Sequence, residues 1–186
     1  MPGPMLHLFV AKKVNPNASI SFFVGNLAPD AVRERKKKDK AHLYGVPDRE
    51  KAMKQFALKA ANNDYLKGML LHLFVDGKWW EDYISGFAEK EGEGWYIKYN
   101  EENSKMTSYA FHHTEWAYEL LKQIENWDFN GFVETEFITK DNVKWVSSKL
   151  LVENKLEASI IFSPELIDKF VYDTADSFVK WCYCII

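Results

Sequence analysis

Three of the five histidines in this chain, His7, His42 and His72, stand in stretches that otherwise read as core. His7 lies in MLHLFVA, His42 in DKAHLYG and His72 in GMLLHLFVDGKWW, where Asp76 follows four residues later. On a helix a spacing of four puts both side chains on one face. A buried carboxylate without partners costs several kcal/mol or gives up its charge, so Asp76 needs a partner. The two residues can form an ordinary polar pair, line a metal-free polar pocket, or bind a metal ion together. Asp30, in GNLAPDA, is a further candidate. Taken singly, each has a plain explanation: a core histidine, a helix-end histidine or a first-turn acid favoured by the helix dipole. Taken together, His and Asp projecting inward from several helices are how helical bundles build metal sites.

The elements that must position these residues read as helices. PMLHLFVAKKV starts with Pro4 and carries apolar residues at helical spacing. Ser19 is placed to cap a short helix, and Pro29 to start a new turn containing Asp30. REKAMKQFALKAAN is amphipathic, with Met53, Phe56, Ala57, Ala60 and Ala61 on one side. Residues 62–84 are apolar nearly all round, which predicts a central helix. Residues 104–127 read as one long helix, DNVKWVSSKLL as a shorter one, and Ser163-Pro164 as the cap and first position of a last one. EKEGEGWYIKYNEEN and NGFVETEFIT are looser and could each hold a short strand. The expected fold class is therefore all-α, one multi-helix bundle spanning 1–186 with at most a short strand pair.

Composition narrows the function classes. A net charge of −3 gives no global attraction to a polyanion, so nucleic acid is not the expected partner. The dense basic run RERKKKDK, Arg33 to Lys40, reads as a solvated face. The two cysteines, Cys182 and Cys184, are too close in sequence for an ordinary structural disulfide, which favours a reducing compartment. No run approaches the roughly 18 apolar residues of a membrane span, and no secretory signal is visible, so the expected setting is cytoplasmic.

Four motifs, MPGPMLHLFVA, FFVGNLAPDA, KAHLYG and LKGMLLHLFVDGKWW, resemble in order the zinc-dependent phospholipase C family over about residues 1–84. That family is mainly α-helical, holds zinc between helices and cleaves the phosphodiester bonds of phospholipids; related single-strand nucleases share its architecture. The resemblance implies that His7, Asp30, His42, His72 and Asp76 are metal ligands, with Asp30 also the base that activates water and Asp76 able to bridge two ions. The family's later His and Glu ligands are matched by His112 and Glu115, with His113 and Glu119 close by. Where secreted members carry a further His, six residues after the central Asp, this chain has Asp82. The expected cofactor is one or two zinc ions rather than three.

On this reading the protein is a phosphodiester hydrolase. Zinc suits the imidazole and carboxylate donors, though manganese or iron would bind too. The substrate would be a phospholipid or another phosphodiester, with Trp79, Trp80 and Tyr83 either walling a cleft or packing the core. The rival expectation is a non-enzymatic helical module that keeps a structural or vestigial metal site.

Overall fold

The computed structural model describes residues 1–152, 159 and 161–185. The described residues are helical or irregular and contain no strand. α1 (Pro4–Val14) starts with a proline at its first position, where a missing N–H costs nothing. It buries Met5, Leu6, His7, Leu8, Val10 and Ala11, almost its full circumference, and so runs through the middle of the bundle. α2 (Ile20–Leu27) is capped by Ser19, whose Oγ accepts from the Phe22 N–H at 3.4 Å. A 3₁₀ turn over Ala28–Ala31 follows and carries Asp30.

The basic run forms α3 (Arg35–Ala41), which buries no residue and ends with His42 as its C-cap. The next helix, α4 (Arg49–Ala60), is capped by Asp48 and turns Met53, Ala57 and Ala60 inward, as its amphipathic pattern predicts. α5 (Asp64–Trp79) is capped by Asn63 and carries His72 and Asp76, both buried. It runs into a π-turn over Trp80–Ile84 and then α6 (Ser85–Glu91).

Neither expected strand forms. EKEGEGWYIKYNEEN instead ends α6 and opens α7 (Trp95–His112). Gly92 and Gly94 take the left-handed φ values, 72° and 81°, that reverse the chain between them. Tyr99, Glu102, Met106 and Ala110 are then buried at helical spacing. The helix expected over 104–127 is two helices. Thr114 breaks it: its hydroxyl donates to the carbonyls of Ala110 and Phe111, closing α7, and α8 (Glu115–Glu125) starts afresh. α9 (Lys140–Val152) and α10 (Pro164–Tyr183), the latter with the Ser163-Pro164 start, complete the bundle. No described helix is long and apolar enough to cross a membrane.

α2 and α5 cross at two glycines. A Cβ on Gly25 would lie 1.9 Å from the Tyr65 carbonyl oxygen, and one on Gly68 would lie 2.0 Å from the Phe22 carbonyl oxygen. The helices therefore pack backbone on backbone. That closeness brings the Asn26 carbonyl within reach of the His72 ring. Gly68→Ala must push the helices apart, an overpacking cost of about 1–3 kcal/mol or more. For a chain of this size we expect a melting temperature lower by about 3–10 °C. A melting curve superimposable on that of wild type would show that the crossing does not depend on glycine.

Candidate metal centre

Four elements deliver five side chains to one place: His7 from α1, Asp30 from the 3₁₀ turn, His42 from the end of α3, and His72 with Asp76 from α5. All three imidazoles are fully buried, and Asp76 is 2% exposed. Their donor atoms fall into two overlapping groups, His7–Asp30–His72 and His42–His72–Asp76, each close enough to hold a metal ion.

Hydrogen bonds fix two of the rings. His42 Nδ1 lies 2.7 Å from the Lys38 carbonyl, and His72 Nδ1 lies 2.7 Å from the Asn26 carbonyl. A carbonyl only accepts, so both Nδ1 atoms carry the proton, and in the neutral rings both Nε2 atoms present lone pairs. Backbone carbonyls commonly orient metal-binding imidazoles in this way. The two Nε2 atoms face each other at 3.1 Å. Asp76 Oδ2 lies 3.5 Å from His72 Nε2 and 3.7 Å from His42 Nε2. Zinc held tetrahedrally at about 2.0–2.2 Å sets its ligand atoms about 3.3–3.6 Å apart. The observed separations of 3.1, 3.5 and 3.7 Å bracket that spacing, and 3.5 and 3.7 Å are too long for hydrogen bonds.

A proton shared between His42 and His72 would relieve only that one pair. Both oxygens of Asp76 and both ring nitrogens of His7 are buried without a hydrogen-bond partner. His7 Nε2 is 3.4 Å from Asp76 Oδ1, and the His7 ring stacks on His72 at 3.7 Å. So many orphaned polar atoms in one spot are costly, and a cation would gather the Asp76 oxygens and the unprotonated His7 nitrogen. These residues can hold a metal ion, and the donor set of imidazole and carboxylate fits one.

The electrostatics agree. Burial pushes the His7 ring down to about 4, and the neighbouring His72 pushes the same way, so His7 is neutral at pH 7. Burial alone would also lower His72, but the charges of Asp76 and Asp30 and the Asn26 carbonyl raise it. Burial alone would raise Asp76, yet the adjacent His72 and His7 hold its carboxyl far below the usual range. Asp30 is likewise held well below it, against burial, by His42 and the Lys38 ammonium, which sits 3.0 Å from Asp30 Oδ1. Two ionised carboxylates beside the neutral His7 ring give a divalent cation anionic and neutral donors in one place.

The cluster closes the floor of a cleft of about 1200 Å³. Asp30 and Asp76 belong to its wall, with the histidines behind them. Tyr44, Arg49, Trp80 and Trp95 also line it. In its wall the buried Tyr99 hydroxyl donates to the Met1 carbonyl and accepts from Trp79 Nε1 at 2.8 Å.

Two expected ligands stand elsewhere. His112 ends α7 and Glu115 begins α8; both side chains are exposed, and neither joins the buried cluster. The turn at His113–Thr114 separates the pair that a continuous helix would have kept on one face. His113 is also exposed, stacked on Tyr109. Asp82 is exposed and pairs with Lys78. Of the three aromatics near Asp76, only Trp80 lines the cleft. Trp79 is fully buried, and Tyr83 packs on Trp79 and Phe170. Sequence reasoning missed the Lys38–Asp30 contact, because a basic run on a solvated face gives no sign of which lysine turns inward. It also missed Arg49, which follows an ordinary helix cap.

Compared with family models, with curated proteins and with solved structures, the chain matches none.

Proposed function

We propose that this chain is a zinc-dependent hydrolase of phosphodiesters, similar in its centre to the phospholipase C family. The observation that carries this reading is the placement of the cluster. Five donor residues converge, and two of them, both carboxylates, open onto a wide cleft rather than being sealed behind protein. A structural site is closed, while a catalytic one keeps a position for water or substrate.

Ligand geometry favours one or two ions. His72 has a single free nitrogen, because Nδ1 is committed to Asn26, and so it serves one ion. Asp76 turns Oδ1 toward His7 and Oδ2 toward His42 and His72, so its two oxygens can serve two ions. Bound zinc would supply a water acidified to a pKa of about 7 and a counter-charge for the phosphoryl oxygens. Asp30, ionised and facing the cleft, would accept the proton of a water there or hold that water in line. Lys38, beside Asp30, keeps that carboxylate ionised. The half-exposed Trp80 and its neighbour Trp95 offer an apolar wall for the leaving group.

The test is hydrolysis of bis-p-nitrophenyl phosphate by the full chain. We expect turnover that a chelator abolishes and that added zinc, manganese or iron restores, with zinc the most effective. Metal bound stoichiometrically with no diesterase activity on nitrophenyl, lipid or nucleotide substrates would favour the structural-module reading instead.

A further inference from the structure

The cations of the cleft are not equivalent. Arg35 is paired with Asp39 at 3.1 Å, Lys38 with Asp30 at 3.0 Å, and Lys149 lies over the Trp145 ring at 4.8 Å. Arg49 lines the same cleft, yet forms no ion pair with any carboxylate among the described residues. A guanidinium carries five N–H donors. Nη2 donates to the Leu73 carbonyl at 2.6 Å, which anchors the group against α5, and Nε is buried without an acceptor. Nη1 lies against Gly77, 2.9 Å from where a Cβ would stand, so the glycine next to Asp76 leaves room for the guanidinium. An anchored, uncompensated guanidinium with donors to spare is suited to a tetrahedral oxyanion, which accepts from its planar fork.

We propose that Arg49 is the phosphate-binding residue of this cleft, donating to a non-bridging oxygen of a phosphoryl group. This rests on the diesterase reading for its substrate, but not for its anion. The geometry places a fixed positive charge against Gly77, next in sequence to Asp76 of the carboxylate floor. Arg49 thereby selects anionic phosphate esters over neutral esters of the same shape. Tyr44, which also lines the cleft, stacks on His42 with ring centroids 5.8 Å apart and so links the cleft wall to the centre.

The test is calorimetric titration of inorganic phosphate into full-length protein as isolated, with the metal content of each sample measured. Arg49→Met should weaken phosphate binding at least about tenfold with metal content unchanged, the difference between a charge-assisted contact and none. Arg49→Lys, which keeps the charge and guards against a folding defect, should recover only part of the loss, because the fork is gone. Phosphate affinity within about threefold of wild type in Arg49→Met would overturn the assignment. Competition with a dithymidylate and with a short-chain phosphatidylcholine below its micelle concentration identifies the source of the phosphoryl group. A matching loss for either supports the role of Arg49; loss for neither refutes it. If the protein proves to hold no metal, the diesterase reading fails, and the same titration on metal-free protein decides Arg49 alone: binding that depends on Arg49 upholds the site, and its absence removes it.

Discussion

Asp30→Asn is expected to lower bis-p-nitrophenyl phosphate hydrolysis by about 10²–10⁴-fold, the range for loss of a positioned general base. The substitution keeps the shape of the side chain and removes its charge and its ability to take a proton. His42, His72 and Asp76 are untouched and still bring nitrogen and oxygen donors to within 3.1–3.7 Å of one another. At least one ion should therefore remain bound, and elemental analysis alongside the kinetics separates loss of chemistry from loss of metal. The pH profile gives a second readout. Asp30 is held well below the ordinary carboxylate range, so in wild type its basic form persists down to low pH. A fall in activity between pH 7 and 5 would then report protonation of the water or of an imidazole, not of Asp30. Activity of Asp30→Asn within tenfold of wild type would remove Asp30 from catalysis and leave it only a partner for Lys38.

The second large effect concerns stability. Without a cation, Asp76 and His7 are buried with no hydrogen-bond partner, and the His42 and His72 Nε2 atoms oppose each other. An ion that binds only the folded chain stabilises it by RT ln(1 + [L]/Kd), about 4 kcal/mol at a thousandfold excess over Kd. At about 2–4 °C per kcal/mol for a chain of this length, chelation should lower the melting temperature by about 8–16 °C. His72→Ala should melt near the chelated wild type and respond little to chelator, because the donor shared by both ligand groups is gone. A bland polar pair predicts the opposite pattern: no response of wild type to chelator, and a loss confined to the variants. Acid should reproduce the effect. The His7 ring has its pKa depressed in the folded state, from about 6.5 to about 4, so the stability it contributes is present above pH 6.5 and is lost as pH falls toward 4. Protonation of the imidazoles also releases the metal over the same range.

The helices that carry His7, His72 and Asp76 were legible because each has a physical signature. Pro4 starts α1, Asn63 and the near-continuous apolar run define α5, and a polar pair within such a run demands a partner. The plain explanation for His42, a residue at a helix end, is also true: it is the C-cap of α3 and a member of the cluster at once. The failures share a different cause. Residues 104–127 keep helical spacing through Thr114, and nothing in the pattern reveals that its hydroxyl turns back on Ala110 and Phe111. His112, still within α7, lies on its exposed side, and Glu115 starts α8 in solvent beyond the break. Gly92 and Gly94 read equally well as strand punctuation or as a reversal between helices, and the burial of Tyr99, Met106 and Ala110 decides it. Gly25 and Gly68 sit inside helices where their only local effect is unfavourable; their use is the backbone contact that sets Asn26 against His72, a long-range fact. The zinc and diester assignments come from the resemblance of four short motifs, and the structure adds the convergence of those residues and the cleft they face.

The most direct measurement is elemental analysis of the wild-type chain purified without added metal, beside His72→Ala and Asp76→Ala prepared identically. A buried metal centre predicts about one or two ions per wild-type chain, mainly zinc, and a fall to near zero in both variants. Less than about 0.2 ion per wild-type chain, with binding of added zinc no tighter than that of the variants, would contradict the metal centre. His72 and Asp76 would then be a buried polar pair.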